Sequence, residues 1–195
     1  MTAPFVVMVS GSLRPGSTSE RVAEWCAREC AAYGTRTVVF PGAALQFPFY
    51  RPGLSRTHAG ARKFLDALGR ADGVVLVSPA YHGTVSGLLK NALDYVNDLD
   101  GPRPFLDGRP VGCVAVGAGA QGAVSTLATL RTVCHALRAW PTPLGVTVTD
   151  PHAFDAQQTE ADPECRTRMS ALLAQVLAMS RFTARAAAEP LPART

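Results

Sequence analysis

The chain is predicted to be a doubly wound α/β domain built on a five-stranded parallel sheet with helices on both faces, and three observations predict it. Five short, Val-rich and nearly uniformly apolar runs recur at 5–9, 37–40, 73–77, 111–117 and 144–149, the pattern of strands buried on both faces. Amphipathic helical patterns lie between them, so the chain repeats a βα unit. The first strand also empties into a loop of glycines, hydroxyls and one arginine just before a helix begins. Right-handed crossovers then give a parallel sheet. The order 2-1-3-4-5 suits this size and puts a ligand crevice beyond the carboxyl ends of strands one and three.

Strand one ends in Ser10, Gly11, Ser12, Leu13, Arg14, Pro15, Gly16, Ser17, Thr18 and Ser19, and a helical pattern starts at Glu20. Such a loop is suited to a phosphate, because amides and hydroxyls donate to the anion and the helix N-terminus favours its charge. Gly11 and Gly16 have the Walker spacing, but Ser17 stands where the lysine for a nucleoside triphosphate belongs. No Gly-x-Gly-x-x-Gly occurs at this turn, which removes the dinucleotide fingerprint. A phosphate monoester held by Ser12, Ser17, Thr18 and Ser19, with Arg14 as the cation, is the remaining ligand class. The plainer reading is a polar turn in which Ser17, Thr18 or Ser19 caps the helix.

The first helix gathers Val22, Ala23, Cys26, Ala27 and Cys30 on one face, and the second gathers Ala61, Phe64, Leu65 and Leu68. Between them, the connection at 41–57 is long for an α/β unit and carries Phe47, Phe49 and Tyr50. Long loops are commonly functional and exposed aromatics need a cover, so this loop is expected to pack on a partner subunit; the alternative is a loop folded over its own domain. After strand three, Pro79 stiffens the exit, Gly83 allows close backbone approach and Tyr81 offers an aromatic wall, features that suit a flat heterocycle. The plainer reading there is a turn with Thr84 or Ser86 capping the third helix, whose apolar face is Leu88, Leu89, Ala92, Leu93 and Val96.

The small residues at 117–122, after strand four, would let backbone N–H groups reach a ligand edge. The fourth helix is read with Val124, Leu127, Leu130, Cys134 and Leu137 on its buried face, and the fifth with Met169, Leu172, Leu173, Val176 and Leu177. Residues 1–183 are expected to form the single domain. The stretch 184–195 lacks a core pattern and is expected to fray.

At 195 residues and 47% hydrophobic content, the chain is long enough for one substantial core. It has neither a run of about 18 apolar residues nor a leader pattern, so a cytoplasmic protein without a membrane span is expected. The five cysteines are odd in number, form no C-x-x-C and sit in apolar segments; they read as buried thiols with no metal. A net charge of +4 comes from 17 Arg and 2 Lys scattered singly, without the basic stripe of nucleic-acid binding. Mild basicity suits anionic small molecules instead. No Ser-His-Asp set or carboxylate pair stands out, as expected where a cofactor carries the chemistry.

Gly11, Ser12, Leu13, Arg14, Gly16 and Ser17, followed by Pro79, Tyr81, Gly83, Ser86, Gly87, Leu89, Lys90, Asn91, Leu93 and Asp94, resemble the NADPH-dependent FMN reductase family of flavodoxin-like proteins, which includes quinone reductases. The likeness covers roughly residues 4 to 140. It implies that Ser12, Arg14, Ser17, Thr18 and Ser19 hold an FMN phosphate. Pro79, Ala80, Tyr81, His82 and Gly83 would then contact the isoalloxazine ring, with Ala118, Gly119 and Gln121 flanking it. Where Ala80 and His82 stand, the commonest family pattern has Glu and Asn; His82 either donates to a flavin carbonyl, meets substrate or is a solvated loop residue. The resemblance further implies a homodimer or homotetramer that uses NADPH or NADH to reduce FMN, with electrons passing on to free FMN, a quinone or a similar acceptor. Two other classes compete: a flavodoxin-type carrier, against which a pI near 9.0 counts, and a non-enzymatic binding module.

Overall fold

The structure, a computed structural model, describes residues 3–101, 103–155 and 162–188. Its strands are β1 (Phe5–Ser10), β2 (Arg36–Phe40), β3 (Gly73–Pro79), β4 (Pro110–Val116), β5 (Trp140–Pro141) and β6 (Val146–Val148), all paired in parallel in the order β2-β1-β3-β4-β5, with β6 also on β4. This is the expected flavodoxin-like order. β1 is an interior strand, pairing Val6 with Gly73 and Ser10 with Val77 on one side and Phe5 with Arg36 on the other. The carboxyl ends of β1 and β3 therefore emerge at the same edge, with β3 continuing past Val77 to Pro79.

The fifth place in the sheet differs from the single strand expected at 144–149. β5 pairs Trp140 and Pro141 with Pro110 and Val111, and β6 pairs Val146 with Val114. From Val111 to Val114 β4 advances three residues while its neighbour advances five, so two residues bulge out of the ladder. Pro143 lies in the bulge and has no N–H to donate. Leu127 of the helix above presses on Gly145, where a Cβ would lie 2.9 Å from its Cδ1.

The helices are α1 (Thr18–Ala32), α2 (Ala59–Arg70), α3 (Gly87–Asp94), α4 (Ala120–Ala136) and α5 (Pro163–Ala188). α1 and α5 cover one face of the sheet, where Val6, Met8, Val75, Val77 and Val114 pack against Cys26, Cys30, Met169, Leu172 and Val176. α2, α3 and α4 cover the other face, against Val7, Val9, Val74, Leu76 and Cys113. The alternation along β1 and β3 is what a strand covered on both faces requires. α1 begins at Thr18, two residues ahead of the expected Glu20, because Ser17 accepts from the Glu20 N–H at 3.3 Å while the Glu20 carboxylate takes the Gly16 N–H at 2.8 Å. Those two bonds satisfy donors that a helix start otherwise leaves open.

The buried stripe of α4 also departs from expectation. Val124 is 59% exposed, and the core-facing positions are Ala123, Thr126, Leu130 and Cys134. Counting back in helical steps from Leu130 and Cys134 lands on two small residues, so the helix lies close to β4 and apolarity alone misplaces its face. α5 continues to Ala188, into the stretch read as a tail; residues 189–195 lie outside the described residues.

The connection at 41–57 folds over its own domain, the alternative reading of this loop. Phe47 is buried among Phe64, Tyr95 and His58, and Tyr50 stacks edge-on against Tyr95 and donates to Asp98 at 3.0 Å. Asn91 of α3 accepts from the Tyr50 N–H and donates to the carbonyls of Phe47 and Pro48. Only Phe49, 91% exposed, still faces outward among the three aromatics. His58 caps α2 by accepting the Ala61 N–H at its Nδ1.

All five cysteines are buried and free. Burial pushes the thiols of Cys30 and Cys165 up to about 11 and that of Cys26 well above its ordinary value, so at neutral pH they are protonated and inert. Among the described residues no helix is long and apolar enough to cross a membrane.

Candidate functional site

A cleft of about 560 Å³ opens at the carboxyl ends of β1, β3, β4 and β6, within the range of small-molecule sites. It is lined by Ser12, Arg14, Ser17, Thr18 and Ser19 from the loop after β1 and the start of α1, and by Pro79, Ala80 and Tyr81 after β3. Val116, Gly117 and Ala118 follow from β4, and Thr149, Asp150 and Pro151 close the far side after β6. Nine of the thirteen residues expected from sequence thus meet in one cavity.

The loop after β1 is an oxygen-rich cup. Ser12, Ser17, Thr18 and Ser19 are all buried, yet their hydroxyls are only partly committed: Ser17 caps α1 and Thr18 donates to the Pro151 carbonyl at 3.1 Å. The first N–H groups of α1 have no intrahelical acceptor and point out of the helix end. Beneath the loop, the Ser10 hydroxyl is fully buried and has no partner among the described residues. Buried hydroxyls with spare capacity at a helix N-terminus are the chemistry of an anion site. Arg14 is exposed, and among the described residues its guanidinium makes no hydrogen bond or ion pair.

Two contacts hold this cup in place. Ser86, the buried N-cap of α3, accepts the Leu89 N–H and donates to the Gly11 carbonyl at 2.7 Å, tying the loops after β1 and β3 together. Gly42 lies so close to the Ser12 backbone that an added Cβ would fall 1.8 Å from the Ser12 carbonyl oxygen. No side chain larger than hydrogen fits there.

The loop after β3 is a tight hairpin. Tyr81 and Thr84 exchange both backbone hydrogen bonds, at 3.1 and 3.2 Å, around His82 (φ 52°) and Gly83 (φ 79°). Positive φ at both central residues is the type I′ geometry, which glycine adopts freely and which histidine and asparagine tolerate better than most residues. That accounts physically for a histidine being tolerated at position 82. Ser125 of α4 donates to the Gly83 carbonyl at 2.7 Å and pins the turn. Pro79, Ala80 and the half-exposed Tyr81 line the cleft, whereas His82 and Gly83 form the turn beside it.

Across the cleft, Gly117 packs against Ala80 and Ala123, where a Cβ would come within 3.1 and 3.4 Å of theirs. Ala118 lines the cavity; Gly119 is the N-cap of α4 and Gln121 sits exposed in its first turn, both outside the lining. The wall formed by Thr149, Asp150 and Pro151 was missed from sequence. The position of the last strand, ending at the same edge of the sheet, was the available signal.

Sheet order, a hydroxyl cup at a helix start and a flat-sided slot over β3 and β4 define a flavodoxin-type protein that takes a small phosphorylated ligand. Residues 4–153 match the family described as NADPH-dependent FMN reductase. The chain is 29% identical over 156 residues to an NADPH azoreductase of Bacillus sp. (strain OY1-2), covering 80% of this chain and 82% of that one. It is 26% identical to an FMN-dependent NADPH-azoreductase of Staphylococcus haemolyticus (67% and 69% covered). Among solved structures, the flavoenzyme NAD(P)H:(acceptor) oxidoreductase FerB of Paracoccus denitrificans superposes with a TM-score of 0.76 at 16% identity, over 92% of this chain and 98% of that one. The chain belongs to the NADPH-dependent FMN reductase family, and so to a class of flavin-dependent oxidoreductases that use FMN and NADPH.

Proposed function

We propose that this protein is an FMN-dependent NAD(P)H oxidoreductase that delivers electrons from NADPH or NADH to free FMN, a quinone or a similar small acceptor. One observation carries the reading: a single cleft joins an uncommitted hydroxyl cup at a helix N-terminus to a slot walled by Pro79, Ala80, Tyr81 and Gly117. FMN fits those residues, since the cup matches its phosphate and the slot its planar ring.

In this reading the hydroxyls of Ser12, Ser17 and Ser19 donate to the phosphate together with the first N–H groups of α1, Thr18 contributes its backbone N–H because its hydroxyl is held by Pro151, and Arg14 closes from the rim as the cation. Pro79, Ala80 and Tyr81 would lie along the ring, the turn at His82 and Gly83 would set their height, and Ala118 would mark its far edge, with Gly119 and Gln121 behind it at the start of α4. FMN supplies the hydride-accepting and electron-releasing chemistry when bound. The side chains bind, orient and keep one ring face accessible, and no acid/base pair is required of them. Nicotinamide and acceptor then use that face in turn, which gives ping-pong kinetics. The names of relatives add azo compounds to the acceptor classes worth testing. A cytoplasmic homodimer or homotetramer completes the proposal.

Steady-state oxidation of NADPH and NADH with quinone, azo and free-flavin acceptors, with and without added FMN, tests it. Turnover dependent on FMN with parallel double-reciprocal lines is expected. Flavin-loaded protein that oxidises neither nicotinamide would be a carrier, and protein that takes up no FMN would end the flavin reading.

A further inference from the structure

Arg21, one turn into α1, was singled out by no motif, and its guanidinium joins two walls of the cleft. One terminal nitrogen donates to the Gly16 carbonyl and the other to the Pro151 carbonyl and to Thr18 Oγ1. Its Nε lies 3.1 Å from Asp155 Oδ1. Thr18 itself donates to the same Pro151 carbonyl. Asp155 is held in turn by His152 Nδ1 at 2.9 Å, and the His152 N–H donates to Asp150 at 2.8 Å. Phe154 is buried edge-on against Trp25 of α1. The turn at 150–155 therefore rests on α1 through one apolar plug and one cation.

We infer that Arg21 is a positioning residue of the cofactor site, latching the turn at 150–155 onto the start of α1 and so setting the gap between Ser17, Thr18 and Ser19 on one side and Thr149 and Pro151 on the other. The role follows from geometry. A planar guanidinium with several donors in fixed directions serves two carbonyls through its terminal nitrogens while its charge faces the Asp155 carboxylate, whereas a lysine ammonium cannot span all three. Its side chain is 24% exposed, so these bonds are shielded in part from water and are worth more than a surface ion pair. With its terminal nitrogens turned to the Gly16 and Pro151 carbonyls and Asp155 opposing its charge, Arg21 acts through the width of the cup. Asp155 orients Arg21 rather than screening a ligand.

This inference rests on the FMN reading, and two measurements keep the two separable. FMN and riboflavin affinities are read by flavin-fluorescence titration, and FMN release by stopped flow. Arg21→Met should weaken FMN about tenfold or more, mainly through faster release. Riboflavin, which lacks the phosphate, should lose less. Arg21→Lys should fail to restore FMN affinity, Asp155→Asn should weaken it by a smaller factor, and the Arg21→Met/Asp155→Asn double variant should be no worse than Arg21→Met. Full rescue by Arg21→Lys, or tighter FMN binding in Asp155→Asn, would show that Arg21 contributes charge alone and overturn the latch. Amide hydrogen exchange at residues 152–155 in flavin-free protein gives the independent readout. Exchange about tenfold faster or more in Arg21→Met supports the latch, and unchanged exchange overturns it. Wild-type protein that binds neither flavin would instead refute the FMN reading and the cofactor role of the latch with it.

Discussion

The loops after β1 and β2 leave neighbouring strands at the same edge of the sheet and both look functional in the sequence, yet they spend their polar groups in opposite ways. The 41–57 connection commits nearly everything to its own domain. Asp98 accepts from the Tyr50 hydroxyl, the Gly53 N–H, and both the N–H and hydroxyl of Ser55, while Asn91 and the Tyr95 hydroxyl take the backbone at Phe47, Pro48 and Tyr50. The loop after β1 buries four hydroxyls and leaves most of their capacity open. Unspent hydrogen-bonding capacity under cover separates a binding loop from a scaffold better than length or aromatic content does. The scaffold touches the cup where Gly42 meets Ser12.

That point is where the contrast breaks most severely. Gly42→Ala puts a methyl 1.8 Å from a backbone oxygen, so the cup must move; FMN affinity should fall about 100-fold, with a stability cost of about 1–3 kcal/mol from overpacking, read by titration and urea unfolding. Asp98→Ala tests the scaffold alone. Losing four hydrogen bonds to a carboxylate should lower unfolding free energy by about 2–3 kcal/mol, while FMN affinity in the folded protein stays within about threefold; a large loss of affinity would erase the distinction between the loops.

Ser17 sharpens the comparison because it serves both purposes. Ser17→Ala should cost about 1 kcal/mol as a lost N-cap and weaken FMN about tenfold. Ser17→Asp should recover the stability, since aspartate caps as well as serine, and bind FMN worse still through repulsion of the phosphate. The smallest effect is acid sensitivity. Burial raises the Asp98 carboxyl, but its hydrogen bonds from Gly53, Ser55 and Tyr50 outweigh that and leave it below its ordinary value. A depressed folded value means the stabilisation is present above the unfolded value of about 3.9 and is lost as pH falls through the lower folded one. Acid unfolding of Asp98→Asn should therefore be flatter in that window than wild type.

The legible part of the site was its two strand-end loops, because residue types alone announce them: hydroxyls and glycines after β1, then Pro79, Tyr81 and Gly83 after β3. The wall at Thr149, Asp150 and Pro151 was not legible, and neither was Arg21, since an ordinary Thr-Asp-Pro turn and a helix-surface arginine acquire meaning only from each other's position. Phe47 and Tyr50 misled for a related reason. Aromatics in a long loop look alike whether they cover a neighbouring molecule or, as here, plug the gap beside Phe64 and Tyr95.

The amino-acid sequence by itself determined the βα alternation, the strand order, four of the five helix faces and the identity of the loop that begins at Ser10, because periodicity, capping and turn chemistry act over a few residues and are written in the local order of the chain. Tertiary structure alone decided the split of the fifth strand, the stripe that α4 buries, the inward fold of the 41–57 connection and the clamp between Arg21 and the turn at 150–155. These depend on which surfaces meet between segments that are not neighbours in the sequence, 41 residues apart for Tyr50 and Asn91 and 130 for Arg21 and Pro151, where packing volume and leftover hydrogen-bonding groups, rather than local propensity, set the lowest free energy.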